Sequence, residues 1–260
     1  MKRILTFLIA SLCVISLCSM RIFAADQVYS WYCVRNKEHK QPSADPQMSL
    51  VEEYGGYYVD KRYAQNSEEK VIYLTFDAGY ENGNVSKILD VLKEENVSAA
   101  FFVLDNLILR NKDLIIRMAD EGHLVCNHTS KHLDVTKCKS IDEFRSELNS
   151  LEKNYEMATG RQMPKYFRPP EGKFSQKSME YASQLGYKTI FWSFAYADWD
   201  NSSQMSHSDA KEKIMANIHN GEIMLLHPTS ATNAAILGDI IRELKSQGYR
   251  FGTLDELTNA

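Results

Sequence analysis

Six reactive side chains lie at or just beyond the ends of short apolar runs. In chain order they are Asp77 after residues 71–76, His128 and His132 after 123–127, Arg168 at the end of 165–168, Asp198 beyond 189–194, and His227 at the end of 222–227. Proteins use carboxylates and imidazoles to move protons, and two imidazoles four positions apart can share one metal ion where the chain turns like a helix. Alone, an H-x-x-x-H pair is more often solvated or hydrogen-bonded, so the surrounding elements must decide its role.

The apolar runs alternate with longer stretches of helical periodicity. The runs predict strands over residues 71–76, 98–103, 123–127, 165–168, 189–194, 222–227 and 250–253. The predicted helices cover residues 85–95, 112–121, 140–159, 176–185, 208–219 and 233–247. Such alternation indicates an α/β fold of parallel βαβ units, which fits a distorted, incomplete TIM-like (β/α) barrel or an open doubly wound sheet. Because no nucleotide-binding glycine motif follows a strand, the barrel is favoured, and the loops after its strands should bring the six side chains to one rim.

Composition excludes several classes of protein. The chain has 260 residues, with 30 Lys plus Arg against 34 Asp plus Glu, a formal net charge of −4. A general nucleic-acid binder needs a basic surface, so that class is disfavoured. With 44% apolar residues, 12 Gly and 6 Pro, the chain is neither disordered nor collagen-like.

The first 25 residues read as an export signal. Lys2 and Arg3 precede an apolar run over 4–18, and small residues follow over 19–25. The run is shorter than a membrane span and Arg21 interrupts it, although an uncleaved anchor stays an alternative. We therefore expect a signal peptide over 1–25, an N-terminal extension over 26–70 that packs on the main domain, and one main domain over 71–260.

Three cysteines follow the expected signal, namely Cys33, Cys126 and Cys138. An odd number without a C-x-x-C pair is neither a disulfide framework nor a cysteine zinc site. One bridge between Cys126 and Cys138 stays open, and a buried free thiol at Cys126 is the favoured alternative.

Five motifs together resemble one enzyme family. They are Thr75-Phe76-Asp77-Ala78-Gly79, His128-Thr129-Ser130-Lys131-His132, Arg168-Pro169-Pro170-Glu171-Gly172, Asp198-Trp199 and Leu225-Leu226-His227. Their types and order resemble the polysaccharide deacetylases that share the NodB homology domain, carbohydrate esterase family four. The segments 79–83 and 31–42 look most like the spore-cortex branch, the δ-lactam-biosynthetic de-N-acetylases.

The resemblance implies a substrate and a reaction. Members of that branch remove the acetyl group from N-acetylmuramic acid in peptidoglycan whose peptide stem has been cut away, and the freed amine closes to muramic δ-lactam. It also implies a divalent cation, with zinc expected, held by His128 and His132, which would polarise the acetamide carbonyl and activate a water.

The resemblance also assigns a role to each remaining motif residue. Asp77 would be the general base, held by Arg168, and His227 the general acid, oriented by Asp198. The backbone N–H of Glu171 would stabilise the tetrahedral intermediate. Trp199 would form an apolar wall, and with Glu171 and Pro170 would line the substrate site.

One position departs from the family pattern. The second aspartate of the first motif, usually a metal ligand, is Ala78 here, and a methyl group cannot coordinate an ion. Water, Asp77, Glu81 or Asn127 would fill the vacancy, or the metal would bind weakly.

Other functions stay open at this stage. The same motifs would serve N-acetylglucosamine in peptidoglycan or chitin, and Ala78 would also suit a glycan-binding pseudoenzyme. The absence of H-E-x-x-H and of G-x-S-x-G sets aside a metalloprotease and a serine hydrolase. We expect an exported monomer in the cell wall or the spore intermembrane space, with glycan strands as partner and recognition through cleft shape and aromatic side chains.

Overall fold

The computed structural model describes residues 26–35, 38–64 and 67–259, so the predicted signal peptide lies outside the described residues. The strands are β1 (Val28–Ser30), β2 (Cys33–Val34), β3 (Ser43–Ala44), β4 (Lys70–Ala78), β5 (Ala100–Val103), β6 (Leu124–Asn127), β7 (Tyr166–Phe167), β8 (Lys173–Ser175), β9 (Lys188–Thr189), β10 (Glu222–Leu226) and β11 (Tyr249–Phe251). The α-helices are α1 (Leu50–Glu53), α2 (Val85–Glu94), α3 (Asp105–Arg110), α4 (Lys112–Asp120), α5 (Ile141–Thr159), α6 (Gln176–Gln184), α7 (His207–Met215), α8 (Ala231–Ser246) and α9 (Leu254–Thr258). Within these ranges, no helix has the length and apolar character needed to cross a bilayer.

The main sheet is parallel throughout and has seven strands. Its order is β10-β4-β5-β6-β7-β9, and β11 pairs with the start of β4. The sheet curls into a half-barrel with helices on its outer face, which confirms the predicted distorted, incomplete TIM-like (β/α) barrel. All seven predicted strands are present. Residues 189–194 differ from the prediction in length, since β9 ends at Thr189 and is continued by two isolated bridges, from Ile190 to Tyr57 and from Phe194 to Met224.

Strand β4 shows how the sheet sorts its side chains. Successive residues of a strand point to opposite faces. Leu74, Phe76 and Ala78 belong to the apolar cluster that includes side chains of α2 and α8, whereas Tyr73 belongs to the cluster inside the half-barrel. Asp77 shares the inner face with Tyr73, at the carboxyl end of the strand. The alternation therefore delivers Asp77 to the inner rim.

The N-terminal segment packs along the main body. Strand β1 pairs antiparallel with β8, with Val28 opposite Ser175. Trp31 is 5% exposed and packs in tilted contact with the rings of Tyr58 and Phe191, at ring-centroid distances of 5.0 and 4.8 Å. These contacts agree with an extension that packs on the barrel, but the division of the chain at residue 70 stays a prediction.

The three described cysteines are free thiols. Cys126 is fully buried inside the half-barrel, as the favoured alternative expected, and burial raises the pKa of its thiol. The Cys126 to Cys138 bridge is not formed.

Candidate active site

One cleft of about 690 Å³ opens at the carboxyl ends of the strands. Its lining comprises Asp77, Gly79, Tyr80, Leu104, His128, His132, Glu171, Trp192, Ala195, Tyr196, Trp199, Leu225 and His227. Six of the nine predicted site residues are among them. Arg168 and Asp198 are buried behind the lining, each in contact with a residue that reaches the cleft. Pro170 instead lines an adjoining cavity of about 300 Å³, here called the side cavity, which shares His132 and Glu171 with the cleft.

Arg168 fixes Asp77 from inside the barrel. The guanidinium is fully buried and donates to Asp77 Oδ1 at 2.8 Å, to Thr75 Oγ1 at 2.9 Å and to the carbonyls of Ile190 and Phe191 at 3.0 and 3.1 Å. Burial opposes ionisation of Asp77, but Arg168, His128 and His227 together outweigh it, so the pKa of the carboxyl lies below its usual value. Asp77 is therefore an ionised proton acceptor at neutral pH.

His128 is held in the form that binds metals. Its Nδ1 lies 2.8 Å from the carbonyl oxygen of Arg168, and because a carbonyl only accepts, Nδ1 carries the proton. The free Nε2 faces Asp77 Oδ2 at 3.5 Å. Burial lowers the pKa of the imidazole to about 4, which keeps it neutral. Donation of the second ring nitrogen to a carbonyl is the usual support of a metal-ligating histidine.

The loop that carries the histidine pair has an unusual backbone. Thr129 and His132 both have positive φ angles, 67° and 59°. The turn is stabilised by the bond from Thr129 N–H to Asn127 Oδ1 at 2.9 Å and by the bond from Leu133 N–H to Thr129 Oγ1 at 3.0 Å. As a result the rings of His128 and His132 lie 5.1 Å apart between centroids.

The donor chemistry fits a divalent cation, but the described residues do not assemble a complete metal site. His128 and His132 offer imidazole nitrogens beside the Asp77 carboxylate, and these are ligands that zinc accepts. No group of three or more His, Cys, Asp or Glu side chains within residues 26–35, 38–64 and 67–259 is arranged to hold an ion.

The structure bears on the three residues that are candidates for the missing ligand. Ala78 is fully buried in the outer apolar cluster. The Asn127 amide is engaged, since its Nδ2 donates to Leu148 O at 3.0 Å and its Oδ1 accepts from Thr129. Glu81 Oε1 accepts from the N–H of Gly83, and Glu81 does not line the cleft. Asp77 Oδ2, in contrast, lies 3.5 Å from His128 Nε2.

Asp198 and His227 form the second functional pair. Asp198 Oδ1 accepts from His227 Nδ1 at 2.7 Å, and Oδ2 accepts from His227 N–H at 2.8 Å and from Asn233 Nδ2 at 2.6 Å. Burial opposes protonation of His227, but the hydrogen bond and charge of Asp198, together with the charge of Asp77, outweigh it and raise the pKa of the imidazole. The Nε2 edge is thus suited to carry a proton.

Sequence analysis missed the support behind this pair. Asn233 is 1% exposed and accepts a hydrogen bond from the hydroxyl of Tyr196 while it donates to Asp198. Its position follows from the start of α8, where Ser230 Oγ accepts from Asn233 N–H at 3.1 Å. The S-x-x-N spacing of an N-cap was the available signal, but it predicts a helix start and not a contact with Asp198.

Glu171 contributes its backbone to the cleft. It has a φ of 56° and is followed by Gly172 with a φ of 65°. A side chain at Gly172 would meet Trp192 at 2.8 Å and Trp31 at 3.0 Å. Among the described residues, none accepts a hydrogen bond from the backbone N–H of Glu171. That donor is therefore available to a ligand in the cleft.

Aromatic side chains form the outer walls of the cleft. Trp199 is 60% exposed and its ring lies 6.0 Å from that of His227. Tyr80, to which sequence analysis gave no role in the site, is 44% exposed, and its hydroxyl accepts from Asn201 Nδ2 at 2.7 Å. The two loops that carry these rings are thus tied to each other. Exposed aromatic faces of this kind can stack on sugar rings.

Together these features define a class of protein. A half-barrel whose rim holds an ionised carboxylate, a proton-bearing imidazole and a pair of metal-competent histidines is suited to hydrolysis of an amide in a bound polymer.

Comparison with known proteins identifies the family. Residues 64–190 match the family described as polysaccharide deacetylase. The peptidoglycan-N-acetylmuramic acid deacetylase PdaA of Bacillus subtilis is 42% identical over 229 residues, which cover 88% of this chain and 85% of that protein. The chain belongs to the polysaccharide deacetylases, the family 4 carbohydrate esterases, and is a hydrolase acting on amide bonds.

Solved structures support the same family. The structure of B. subtilis PdaA, a family 4 carbohydrate esterase, superposes with a TM-score of 0.83 at 41% identity, covering 89% of this chain and 97% of that one. A family 4 carbohydrate esterase from Bacillus anthracis gives 0.73 at 37% identity, with 90% and 97% covered. A peptidoglycan-N-acetylglucosamine deacetylase of Bacillus cereus is 32% identical over 196 residues, 74% of this chain and 89% of that protein.

Proposed function

We propose that this protein removes the N-acetyl group from N-acetylmuramic acid in peptidoglycan from which the peptide stems have been cut. The observation that carries the proposal is the pairing of an ionised carboxylate, Asp77, with a proton-bearing imidazole, His227, on the walls of one cleft. The muramoyl substrate is supported by the identity with PdaA, which extends over 85% of that protein.

The side chains suit the two proton transfers of amide hydrolysis. Asp77 Oδ2, free of the Arg168 bond, takes a proton from water as its oxygen attacks the acetyl carbon. The Glu171 N–H donates to the oxygen that becomes negative. When the C–N bond breaks, His227 gives its Nε2 proton to the departing sugar amine, and acetate leaves. Asp198 keeps His227 oriented and charged for that step.

A metal would assist at the His128 and His132 end of the cleft. His128 and His132 would hold a divalent cation, with zinc as the expected ion, which would polarise a carbonyl and lower the pKa of a water. The neutral state of His128 leaves a nitrogen lone pair for it.

The aromatic walls and the predicted leader suit an extracytoplasmic glycan. Trp199 and Tyr80 offer faces for sugar rings beside the reacting groups. We propose that the protein works in the cell wall or between the membranes of a developing spore, and that the product amine goes on to form muramic δ-lactam.

Acetate release tests the proposal. Purified peptidoglycan is supplied with and without prior amidase treatment, each with added zinc or with chelator. Acetate from stem-free glycan alone, and only with metal, supports the proposal. Acetate from chitin oligosaccharides but not from stem-free peptidoglycan would support the second candidate, an N-acetylglucosamine deacetylase, which the 32% identity with the B. cereus enzyme favours. Glycan binding without acetate under any metal would favour a pseudoenzyme.

A further inference from the structure

The side cavity holds a concentration of positive charge beside the reacting groups. Its lining includes Lys131, Lys137 and Lys173, although the whole chain has a net charge of −4. The side cavity shares His132 and Glu171 with the cleft. A substituent next to the reacting amide can therefore extend from the cleft into the side cavity.

Two of the three lysines are already paired. Lys173 Nζ lies 2.5 Å from Glu171 Oε2, and Lys137 Nζ lies 3.7 Å from Asp134 Oδ2. The bond from Lys173 lowers the pKa of Glu171, so that pair is ionic.

Lys131 is different. It is exposed, and no described residue forms a hydrogen bond or an ion pair with it. Of the two acids in the cavity, Glu171 is held by Lys173, and Asp134 is turned into its own loop, where its Oδ1 accepts from Thr136 N–H at 3.2 Å and from Thr136 Oγ1 at 2.6 Å. The ammonium of Lys131 is therefore available to an anion from outside the protein.

Muramic acid carries a matching anion. Its lactyl ether is on the oxygen of C3, and the acetamide is on the neighbouring carbon, C2. The lactyl carboxylate therefore lies a few bonds from the reacting carbonyl. A peptide stem is joined through that same carboxyl group and removes its charge. N-acetylglucosamine has no carboxylate at all.

We infer that the side cavity binds the free lactyl carboxylate through Lys131, and that this contact distinguishes stem-free muramoyl residues from stem-bearing ones and from N-acetylglucosamine. The inference rests on the proposed function. It assigns Lys131, which lies between the two motif histidines in the sequence, a specificity role separate from catalysis.

The experiment compares two substrates and three proteins. Stem-free glycan is used as prepared, and after its carboxyl groups have been converted to methylamides, with zinc present throughout. Wild type, Lys131→Gln and a control, Lys153→Gln, are assayed for acetate release. Lys153 is an exposed lysine of α5 outside both cavities.

Lys131→Gln is expected to raise KM for the free-carboxylate glycan by about three- to tenfold, with kcat within about twofold of wild type, since an exposed charge-assisted contact has about that worth. On the methylamide glycan, Lys131→Gln and wild type should have the same KM, and Lys153→Gln should match wild type on both.

The inference is overturned if Lys131→Gln keeps the wild-type KM, or if its KM rises equally on both glycans. Failure of the proposed function would appear separately, in wild type itself, as acetate release from chitin oligosaccharides and none from stem-free peptidoglycan.

Discussion

Buried neighbours shift the protonation of the two groups that would carry the chemistry. Arg168 is the main group that lowers the pKa of Asp77, and Asp198 is the main group that raises the pKa of His227, so the two pKa values shift in opposite directions. A carboxylate base and an imidazolium acid can then coexist around neutral pH. The motifs were sufficient to predict these pairs. Asn233, which donates to Asp198 from another element, belongs to no motif and was missed.

Asp198→Asn should therefore change the pH dependence of the reaction. The pKa of His227 is raised in the folded protein, so kcat/KM is expected to fall as pH rises through a value above 6.5. The asparagine lacks the charge that raises this pKa, so the alkaline limb should move to lower pH and kcat/KM at pH 8 should fall by about ten- to a hundredfold. A pH profile of acetate release measures both effects.

Asp200→Asn is the matched control, because Asp200 is exposed and accepts from Ser202 in its own turn. It should retain the wild-type profile. An alkaline limb that stays in place in Asp198→Asn would contradict the assignment of His227 as the acid.

Metal retention is a second property decided by single residues. With Ala78 buried and no group of three or more candidate ligands arranged around an ion among the described residues, we expect weak binding. Prolonged dialysis against chelator should remove the ion and the activity, and added zinc should restore activity. An ion that survives that dialysis, measured by elemental analysis, would show that a further ligand completes the site.

Individual elements explain which parts of the site were predictable. The apolar runs of β4, β5, β6 and β10 depend on burial on both faces of the sheet, which a sequence records directly. The early end of β9 was not predicted, because residues 189–194 are as apolar as a strand but beyond Thr189 form only the isolated bridges of Ile190 to Tyr57 and Phe194 to Met224. The short α3 was also missed, since six residues contain too little periodicity to register.

Helix α3 matters because its first residue holds the histidine loop. Asp105 N–H donates to the carbonyl of Ser130 at 3.1 Å, and the Ser130 hydroxyl donates to Asp105 Oδ2. Asn154 on α5 donates to Asp105 Oδ1 at 2.9 Å and fixes the carboxylate. Two strained residues, Thr129 and His132, flank Ser130 in that loop, and this contact helps to maintain their geometry.

Asp105→Ala should loosen the histidine pair and weaken metal binding by about tenfold. Titration with cobalt, followed by its absorption spectrum, measures affinity without relying on activity. Asp105→Asn retains an acceptor for Ser130 and should recover most of the affinity, while Asp113→Ala, an exposed acid on α4, serves as control. Equal affinities in Asp105→Ala and wild type would show that the loop holds its shape unaided.

At the scale of the whole molecule, the alternation of strands and helices predicted the barrel. The position of reactive residues at strand ends predicted that they share one rim. It did not predict the polar network at the opposite end of β10. There Glu222 is fully buried, its Oε2 accepts from His219 N–H at 3.1 Å, and His219 Nε2 lies 2.8 Å from Ser193 Oγ. Glu222 Oε1 has no hydrogen-bond partner within the described chain.

Burial raises the pKa of Glu222 well above 4.5, and this makes stability depend on pH. At a pH below the ordinary pKa, Glu222 is protonated in both the folded and the unfolded protein. Above it the unfolded chain releases the proton and the folded protein keeps it, so stability is lost as pH rises toward the folded pKa. The Glu222→Gln variant lacks this pH-dependent contribution. Its free energy of unfolding minus that of wild type should therefore increase by about 1.4 kcal/mol per pH unit in that window.

Urea unfolding at pH 5, 6 and 7 measures the difference. Comparison at each pH cancels the opposite contribution of His219, whose pKa burial lowers to about 4. A difference that does not change with pH would mean that Glu222 is ionised in the folded protein.

The pairing of β1 with β8 has a consequence for the order in which the molecule forms. Trp31, next to β1, donates to the carbonyl of Gly172 at 2.9 Å and through its indole to the carbonyl of Trp192 at 2.8 Å, so it supports the Glu171 turn and one wall of the cleft. Its partners lie more than half the chain further on, and closing so long a loop is slow. A chain emerging from its N-terminus would hold the Trp31 indole N–H without its acceptor until residue 192 had appeared. Its cleft would thus be completed among the last steps of folding, which leaves a partly made molecule without a working site.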